Sequence, residues 1–120
     1  MSIVIPAYNE ERRLPESLEK VLAFLQTRDY PAEVIVVDDG STDHTADIVE
    51  SFMARSPCVS LIRNDHRGKG YAVRTGMLAA QGLYVLFSDA DLATPIEEVD
   101  RLLAFLEDGY DIAIGSREGL

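Results

Sequence analysis

The sequence has one cysteine, few basic residues and no long apolar run, and each scarcity excludes a class of protein. A single cysteine, Cys58, rules out an internal disulfide and a multi-cysteine zinc site. Eleven lysines and arginines face 21 aspartates and glutamates, and the net charge of −10 would repel a nucleic-acid backbone. No apolar run approaches the ~18 residues of a membrane-spanning helix, and Met1 begins no signal peptide. We therefore expect a cytoplasmic protein that does not bind nucleic acid.

The rest of the composition is that of one folded domain. With 120 residues, 47% of them hydrophobic, the chain is long enough for one hydrophobic core and too short for two ordinary ones. We expect a single domain over residues 1–120. Because the last predicted strand stops at residue 115, we also expect this domain to be the N-terminal part of a longer protein. Sheet edges exposed by that division could favour a homodimer.

Short apolar runs alternate along the chain with longer stretches of helical periodicity, which is the pattern of parallel strands joined by crossover helices. The predicted strands are apolar on successive residues, as in strands covered on both faces, and span 2–7, 33–38, 59–64, 83–88 and 111–115. The predicted helices lie between them, and the last begins at Thr94-Pro95 and ends near Gly109. In the third helix Ala72, Gly76 and Ala80 predict a close approach to the sheet. We predict an α/β fold: an open, mainly parallel sheet with helices on both faces.

Polar residues follow every predicted strand. In open α/β sheets ligands bind outside the carboxyl ends of the strands, so these residues are the candidates for a site. Asp89 and Asp91, two positions apart after the fourth strand, would face the same way in an extended backbone and could hold one divalent cation through oxygen ligands. Such a cation could bridge a nucleotide's diphosphate and stabilise it as a leaving group. The alternative is that either aspartate only starts a turn or caps the next helix.

Asp38 and Asp39 follow the second strand and should face opposite sides of it. One would then reach a ligand, while the other accepts hydrogen bonds from the backbone of the following turn. The sequence Asp39-Gly40-Ser41 suits a carboxylate that accepts the imide N–H of a uracil-like base. An Asx-turn and helix cap near Asp43 is the alternative for part of this segment, and both can hold at once.

Four of the eleven basic residues lie within twelve positions, at Arg63, Arg67, Lys69 and Arg74. Gly68-Lys69-Gly70 opens the third helix, whose N-terminal N–H groups would add positive potential for a phosphate. A solvated basic face is the alternative. The segment is not a Walker A loop, because Arg63 stands where the motif requires glycine. We interpret the two histidines, His44 and His66, as surface residues rather than ligands.

Taken together, these segments resemble the family 2 glycosyltransferases of GT-A fold. The resemblance spans essentially the whole chain and lies in four motifs: 2–10 (SIVIPAYNE), 36–43 (VVDDGSTD), 68–70 (GKG) and 89–91 (DAD). Within the family, the segment 88–95 (SDADLATP) most resembles the polyprenyl-phosphate glycosyltransferases, including the dolichyl-phosphate β-glucosyltransferases. The resemblance implies an inverting transfer of a hexose, with glucose expected, from a nucleotide sugar such as UDP-glucose to a lipid phosphate.

The resemblance also implies a role for each motif. Residues around the base and ribose would be Pro6, Ala7, Tyr8, Glu10 and Asp39, with Asp38 beside them and Lys69 near the donor pocket. Asp89 and Asp91 would bind the ribose–diphosphate side together with Mg²⁺ or Mn²⁺. Arg117 would reach the diphosphate or the acceptor phosphate, and with the two aspartates it completes the predicted catalytic set. Any membrane contact is expected from parts outside this chain.

Other functions remain open on the sequence alone. Nucleotidyltransferases usually carry a Gly-rich basic loop after the first strand, where this chain has Tyr8-Asn9-Glu10. Phospho-acceptor signalling domains carry their acidic pair after the first strand, whereas here the pair follows the second. A non-catalytic nucleotide-binding or assembly module is a stronger alternative, as is a glycosyltransferase whose acceptor is a saccharide hydroxyl.

Overall fold

The computed structural model describes residues 1–82 and 85–88. Strands and helices alternate through this part of the chain, as the sequence predicts. Their order is β1 (Ser2–Ala7), α1 (Leu14–Gln26), β2 (Glu33–Asp38), α2 (Thr45–Met53), β3 (Val59–Arg63), α3 (Lys69–Ala79) and β4 (Val85–Phe87). The predicted fifth strand and the helix from Thr94 to Gly109 lie outside the described residues.

The four strands form one parallel sheet in the order β3-β2-β1-β4. In the register of the central pair, Ser2 lies opposite Glu33 and Ala7 opposite Asp38, so β1 and β2 end level with each other. The predicted parallel sheet is therefore confirmed for the described residues. The chain moves from β1 to β2 to β3 in one direction, and β4 then pairs with the other side of β1.

Apolar clusters cover both faces of the sheet, which explains why its central strands are apolar on successive residues. Ile3 and Ile5 of β1 pack with α1 and α2 on one face, whereas Val4 packs with α3 on the other. The sheet thus has helices on both faces, as predicted. The connections through α1 and α2 run in one direction across the sheet and lie on one face, whereas the connection through α3 runs in the opposite direction and lies on the other face. All three connections therefore have the same hand, and the twist of parallel strands favours a single hand.

Small residues bring α3 close to the sheet. Ala72 and Gly76 are its buried residues. A β-carbon at Gly76 would overlap the Cγ1 methyl of Val4 and lie 3.2 Å from a methyl of Val37. The close approach predicted from these small residues is confirmed.

Candidate functional site

The carboxyl ends of β1, β2 and β3 are joined by backbone hydrogen bonds into one continuous edge, which we call the carboxyl edge. The Asp39 N–H donates to the Ala7 carbonyl (2.9 Å), and the Asn64 N–H donates to the Asp38 carbonyl (2.8 Å). On the other side of β1, the Ser88 N–H donates to the Val4 carbonyl (3.0 Å). The strand order reverses between β1 and β4, and this switch point is where open α/β sheets form their ligand crevice.

The loop after β1 is fixed to the loop after β2. The Asn9 N–H donates to Ser41 Oγ (2.8 Å), and Asn9 Oδ1 accepts from the Thr42 N–H (2.8 Å). The Glu10 N–H donates to Thr45 Oγ1 (2.9 Å). Asn9 has φ of +52°, a left-handed conformation that asparagine tolerates better than most residues. These bonds hold the predicted Tyr8 and Glu10 in place, with Tyr8 exposed at the edge.

Asp43 anchors the start of α2. Its Oδ1 accepts from the Thr45 N–H (2.9 Å) and hydroxyl (2.5 Å), and its Oδ2 accepts from the Glu11 N–H (3.3 Å). Burial raises the pKa of the Asp43 carboxyl, but these hydrogen bonds to its ionised form outweigh that effect and leave the pKa below its ordinary value. The Asx-turn predicted near Asp43 is therefore present, but the N-cap position of α2 is His44, which makes no side-chain capping hydrogen bond.

Asp38 and Asp39 are both buried, and their carboxylates accept hydrogen bonds from different loops. Asp38 Oδ1 accepts from the Ser41 N–H (3.2 Å), which is the bracing of the turn that the sequence predicts for one of the pair. Asp39 accepts from the loop after β3: the Arg67 N–H donates to Oδ1 (2.8 Å), and the Gly68 N–H donates to Oδ2 (3.0 Å) and Oδ1 (3.3 Å). Direct contact between Asp39 and a base stays a prediction.

His66 joins the three loops of the carboxyl edge. Its Nδ1 lies 2.9 Å from Asp39 Oδ2, and its ring stacks on Tyr8 with centroids 4.3 Å apart and planes 24° apart. Gly40, at φ of +73°, sits so close that a β-carbon there would lie 2.7 Å from the His66 nitrogen. The sequence correctly indicates a surface residue, since the side chain is 59% exposed, but it misses this organising position.

Three of the remaining predicted site residues, Pro6, Ala7 and Lys69, lie in the described part of the chain. Pro6 and Ala7 complete β1, with Ala7 buried and Pro6 half-buried. Lys69 is the first residue of α3 and is exposed at the carboxyl edge. The Cζ atom of Arg67 lies 5.3 Å from the centroid of the Tyr71 ring. Asp89, Asp91 and Arg117 lie outside the described residues. In the part of the chain that is described, no group of three or more His, Cys, Asp or Glu side chains is arranged to hold a metal ion.

The structure thus brings Tyr8, Asp38, Asp39 and the start of α3 together, and adds His66 and Asn9, which sequence reasoning did not select. Asn9 carried a usable signal, because asparagine beside a strand end favours a left-handed turn. His66 carried a weaker signal, its position next to the Gly68-Lys69-Gly70 motif. Its partner Asp39 is 27 residues away in sequence, so no local pattern links them.

The chain matches the family model described as "Glycosyl transferase family 2" over residues 2–119. A dolichyl-phosphate beta-glucosyltransferase of Drosophila melanogaster is 44% identical over 100% of this chain and 41% of its own length. An undecaprenyl-phosphate 4-deoxy-4-formamido-L-arabinose transferase of Pseudomonas syringae is 42% identical over 93% of this chain and 34% of its own length. The chain therefore spans 34–41% of the length of these two curated relatives.

Solved structures show the same architecture. The mannosyltransferase PcManGT from Pyrobaculum calidifontis, in complex with GDP-Man and Mn²⁺, superposes with a TM-score of 0.76 at 30% identity over 90% of this chain and 32% of its own. TarS of S. aureus, in complex with UDP-GlcNAc, superposes with a TM-score of 0.70 at 32% identity over 89% of this chain and 31% of its own. The predicted GT-A fold is confirmed by these neighbours. A family model that covers nearly every residue, with a relative 44% identical across the whole chain, shows that this chain belongs to glycosyl transferase family 2.

Proposed function

We propose that the protein is an inverting glycosyltransferase that moves a hexose from a nucleotide sugar to a polyprenyl phosphate, and that residues 1–120 supply its donor- and metal-binding part. The observation that carries the proposal is the joined carboxyl edge, where Tyr8 is exposed and Asp39 ties the loop after β3 to the end of β2. This surface adjoins the switch point between β1 and β4, in a chain that belongs to glycosyl transferase family 2.

The relatives support the nature of both substrates. Two of them are named for a dolichyl phosphate and an undecaprenyl phosphate acceptor, both polyprenyl phosphates. The relative that is 44% identical is a glucosyltransferase, which favours glucose as the hexose. Structural neighbours hold UDP-GlcNAc and GDP-Man, so a nucleotide sugar is the expected donor, and UDP-glucose is our specific proposal.

Charge supports a role for a cation. The chain carries a net charge of −10, so a diphosphate needs positive charge near it. Lys69 and the N-terminus of α3 lie at the carboxyl edge, and Asp89 and Asp91 follow β4 in sequence. We propose that these two aspartates hold Mg²⁺ or Mn²⁺, as carboxylates suit hard cations, and that Arg117 adds charge at the diphosphate or acceptor phosphate. The bound ion would stabilise the departing diphosphate.

The acceptor determines how much acid–base help the reaction needs. A phosphate oxygen of the acceptor attacks the anomeric carbon, the bond from that carbon to the diphosphate oxygen breaks, and the nucleoside diphosphate leaves with the electron pair. Attack opposite the leaving group inverts the anomeric centre. Because a lipid phosphate is already anionic, this step needs no strong general base, whereas a hydroxyl acceptor would need one.

A lipid acceptor implies work at a membrane, and we propose the cytoplasmic face. Among residues 1–82 and 85–88, no helix is long and apolar enough to cross a bilayer. We propose that contact with the membrane is made by parts of the protein outside this chain.

Transfer of labelled glucose from UDP-glucose to a polyprenyl phosphate in detergent tests the proposal. The protein encoded by the complete reading frame should form the lipid-linked sugar in the presence of Mn²⁺, and Asp39→Ala should reduce the rate at least roughly tenfold. Asp47→Asn, at an exposed position of α2, is the matched control and should leave the rate unchanged. Transfer to a saccharide hydroxyl alone would replace the acceptor, and absence of any transfer or donor hydrolysis would contradict the proposal.

A further inference from the structure

We infer that His66 reads the hydrogen-bonding edge of the donor's base and that Asp39 is the positioning residue that orients it. The inference rests on the proposed function, because it concerns how a nucleotide is selected. It assigns a ligand-contacting role to a residue that the sequence indicates only as a surface histidine.

The hydrogen-bond partners of His66 fix which ring nitrogen carries the proton. Nδ1 lies 2.9 Å from Asp39 Oδ2 and 3.1 Å from the Asp39 backbone oxygen. A carboxylate and a carbonyl oxygen only accept hydrogen bonds, so Nδ1 must be the donor. In the neutral ring Nε2 is then an acceptor with its lone pair directed away from Asp39.

The ring is held on more than one side. Tyr8 stacks on its face, and the backbone of His66 packs against Gly40. Asp39 also accepts from the two residues that follow His66, Arg67 and Gly68, so the loop cannot shift without breaking those bonds. The side chain is nevertheless 59% exposed, and Nε2 has no hydrogen bond to any residue of the described part of the chain. A fixed, exposed acceptor is suited to reading a ligand.

The Asp39 carboxylate is less available for that role. Its side chain is only 5% exposed, and three donors from the loop after β3 occupy both of its oxygens. The His66 side chain is therefore more accessible to a base at this edge than the Asp39 carboxylate is. The 4.3 Å separation of the Tyr8 and His66 rings leaves no space for a third ring between them, so the base must contact the edge of the stacked pair or the other face of Tyr8.

An acceptor at Nε2 selects for a base with a ring N–H on its hydrogen-bonding edge. Uracil presents N3–H and guanine presents N1–H, whereas cytosine and adenine present a ring nitrogen that is itself an acceptor. Two acceptors facing each other across a desolvated contact are unfavourable, since each loses a hydrogen bond to water. The nucleotides held by the two structural neighbours described above, UDP-GlcNAc and GDP-Man, both belong to the class with a ring N–H.

Calorimetric titration of the purified protein with UDP and CDP in the presence of Mn²⁺ tests the inference, because the two ligands differ only at the edge in question. The wild type should bind UDP about tenfold more tightly than CDP, because UDP donates a hydrogen bond to Nε2 whereas CDP would place two acceptors against each other. His66→Phe keeps a ring to stack on Tyr8 but has no Nε2, and it should lose that preference. His44→Phe is the control. His44 is the other histidine and contacts Glu11 instead of Asp39, so this variant should keep the preference for UDP over CDP.

Each outcome decides between the two proposals. A preference for UDP that survives in His66→Phe overturns the role of His66 while the proposed function stands, and no binding of either nucleotide by the wild type overturns both. Melting curves of the variants exclude unfolding as the cause. A second readout needs no ligand: nitrogen NMR should show the His66 ring protonated at Nδ1 near pH 8, and protonation at Nε2 instead would contradict the orientation by Asp39.

Discussion

Several carboxylates among the described residues accept hydrogen bonds from backbone N–H groups of nearby loops. Asp38, Asp39 and Asp43 do so at the carboxyl edge, and Glu33 does so at the opposite edge of the sheet. Hydrogen bonds to an ionised acceptor are stronger than those between neutral groups, so each carboxylate fixes a loop that has no regular structure of its own. Part of the negative charge of this chain therefore serves to fix its loops.

Glu33 gives a pH-dependent prediction. Its Oε2 accepts from the Ser2 hydroxyl (2.5 Å) and from the Gln81 N–H (2.7 Å), and the hydroxyl bond does most to lower the pKa of the Glu33 carboxyl below its ordinary value. A lowered pKa in the folded state stabilises the fold above the unfolded pKa, and this contribution disappears as pH falls through the folded pKa. Glu33→Gln should therefore lower the stability at pH 7 by about 1 kcal/mol and have little effect at pH 3.

Urea unfolding at both pH values measures this difference. Glu50→Gln, at an exposed position of α2, is the control and should change stability little at either pH. A loss in Glu33→Gln that is equal at pH 7 and pH 3 would mean that charge plays no part, and the role assigned to this carboxylate would be wrong.

Gly40 gives a second prediction at the same scale. An alanine there would combine a φ of +73° with a β-carbon 2.7 Å from the His66 backbone, whereas Gly68 has a φ of +98° with nothing within 4 Å of a β-carbon. Gly68→Ala should cost only the conformational strain, about 1–3 kcal/mol, and Gly40→Ala should cost about 1–3 kcal/mol more, because overlap with the His66 backbone adds to the strain. Thermal unfolding of both variants separates strain from overlap, and equal losses would show that the loops of Gly40 and His66 are not in close contact.

For single residues, the sequence indicates which ones are polar and lie near strand ends, but it does not show which residues they contact. The different tasks of Asp38 and Asp39 follow from adjacency on a strand, and one of them, the bracing of Ser41, is found. The partners of Asp39 come from a loop 27 to 29 residues away. Such a contact depends on which strands are neighbours, and periodicity does not contain that information.

At the scale of elements, the sequence predicts what depends on local pattern. The bounds of β1 and β2 agree with the predicted 2–7 and 33–38, because both strands lie inside the described sheet and have a buried, apolar run at residues 3–5 and 34–37. The third strand ends one residue earlier than the predicted 59–64. Among the strands that the structure describes it pairs with β2 alone, and it is partly exposed, so its apolar pattern is weaker and its end is less well marked.

Helix α3 allows a paired test of why its small residues are there. Gly76 packs on Val4 and Val37, whereas Gly70 in the same helix has nothing within 4 Å of a built β-carbon. Alanine favours helix over glycine, so Gly70→Ala should stabilise the protein by about 0.5 kcal/mol. Gly76→Ala should instead destabilise it by about 1–3 kcal/mol, because the added methyl forces the helix from the sheet.

Denaturant midpoints of the two variants provide the measurement. Val4→Ala removes the methyl that the new side chain would meet, so Gly76→Ala should cost less in that background than in the wild type. Equal costs in the two backgrounds would show that the helix and sheet are not in the contact described.

For the whole molecule, the fold class could be predicted from the sequence, while the strand order needed the structure. Alternating strands and helices predict a parallel sheet with helices on both faces, because only that arrangement covers strands that are apolar on successive residues. The order β3-β2-β1-β4 places the switch point beside β1, and with it the location of the crevice. The sequence position of the motif after β4 predicts that it lies at the same edge, and Ser88, the last described residue before it, donates its N–H to Val4 of β1.

Mn²⁺ should bind at the aspartates that follow β4 in sequence. Asp89 directly follows Ser88, whose N–H donates to Val4 beside the switch point, and Asp91 lies two positions further along the chain. If both hold the cation that bridges the donor, Mn²⁺ should tighten UDP binding, and Asp89→Asn or Asp91→Asn should reduce that gain at least roughly tenfold. Asp65→Asn, at a side chain that is 90% exposed, should retain the gain. Paramagnetic resonance of Mn²⁺ measures the bound metal directly, and unchanged metal binding in both variants would place the ion elsewhere.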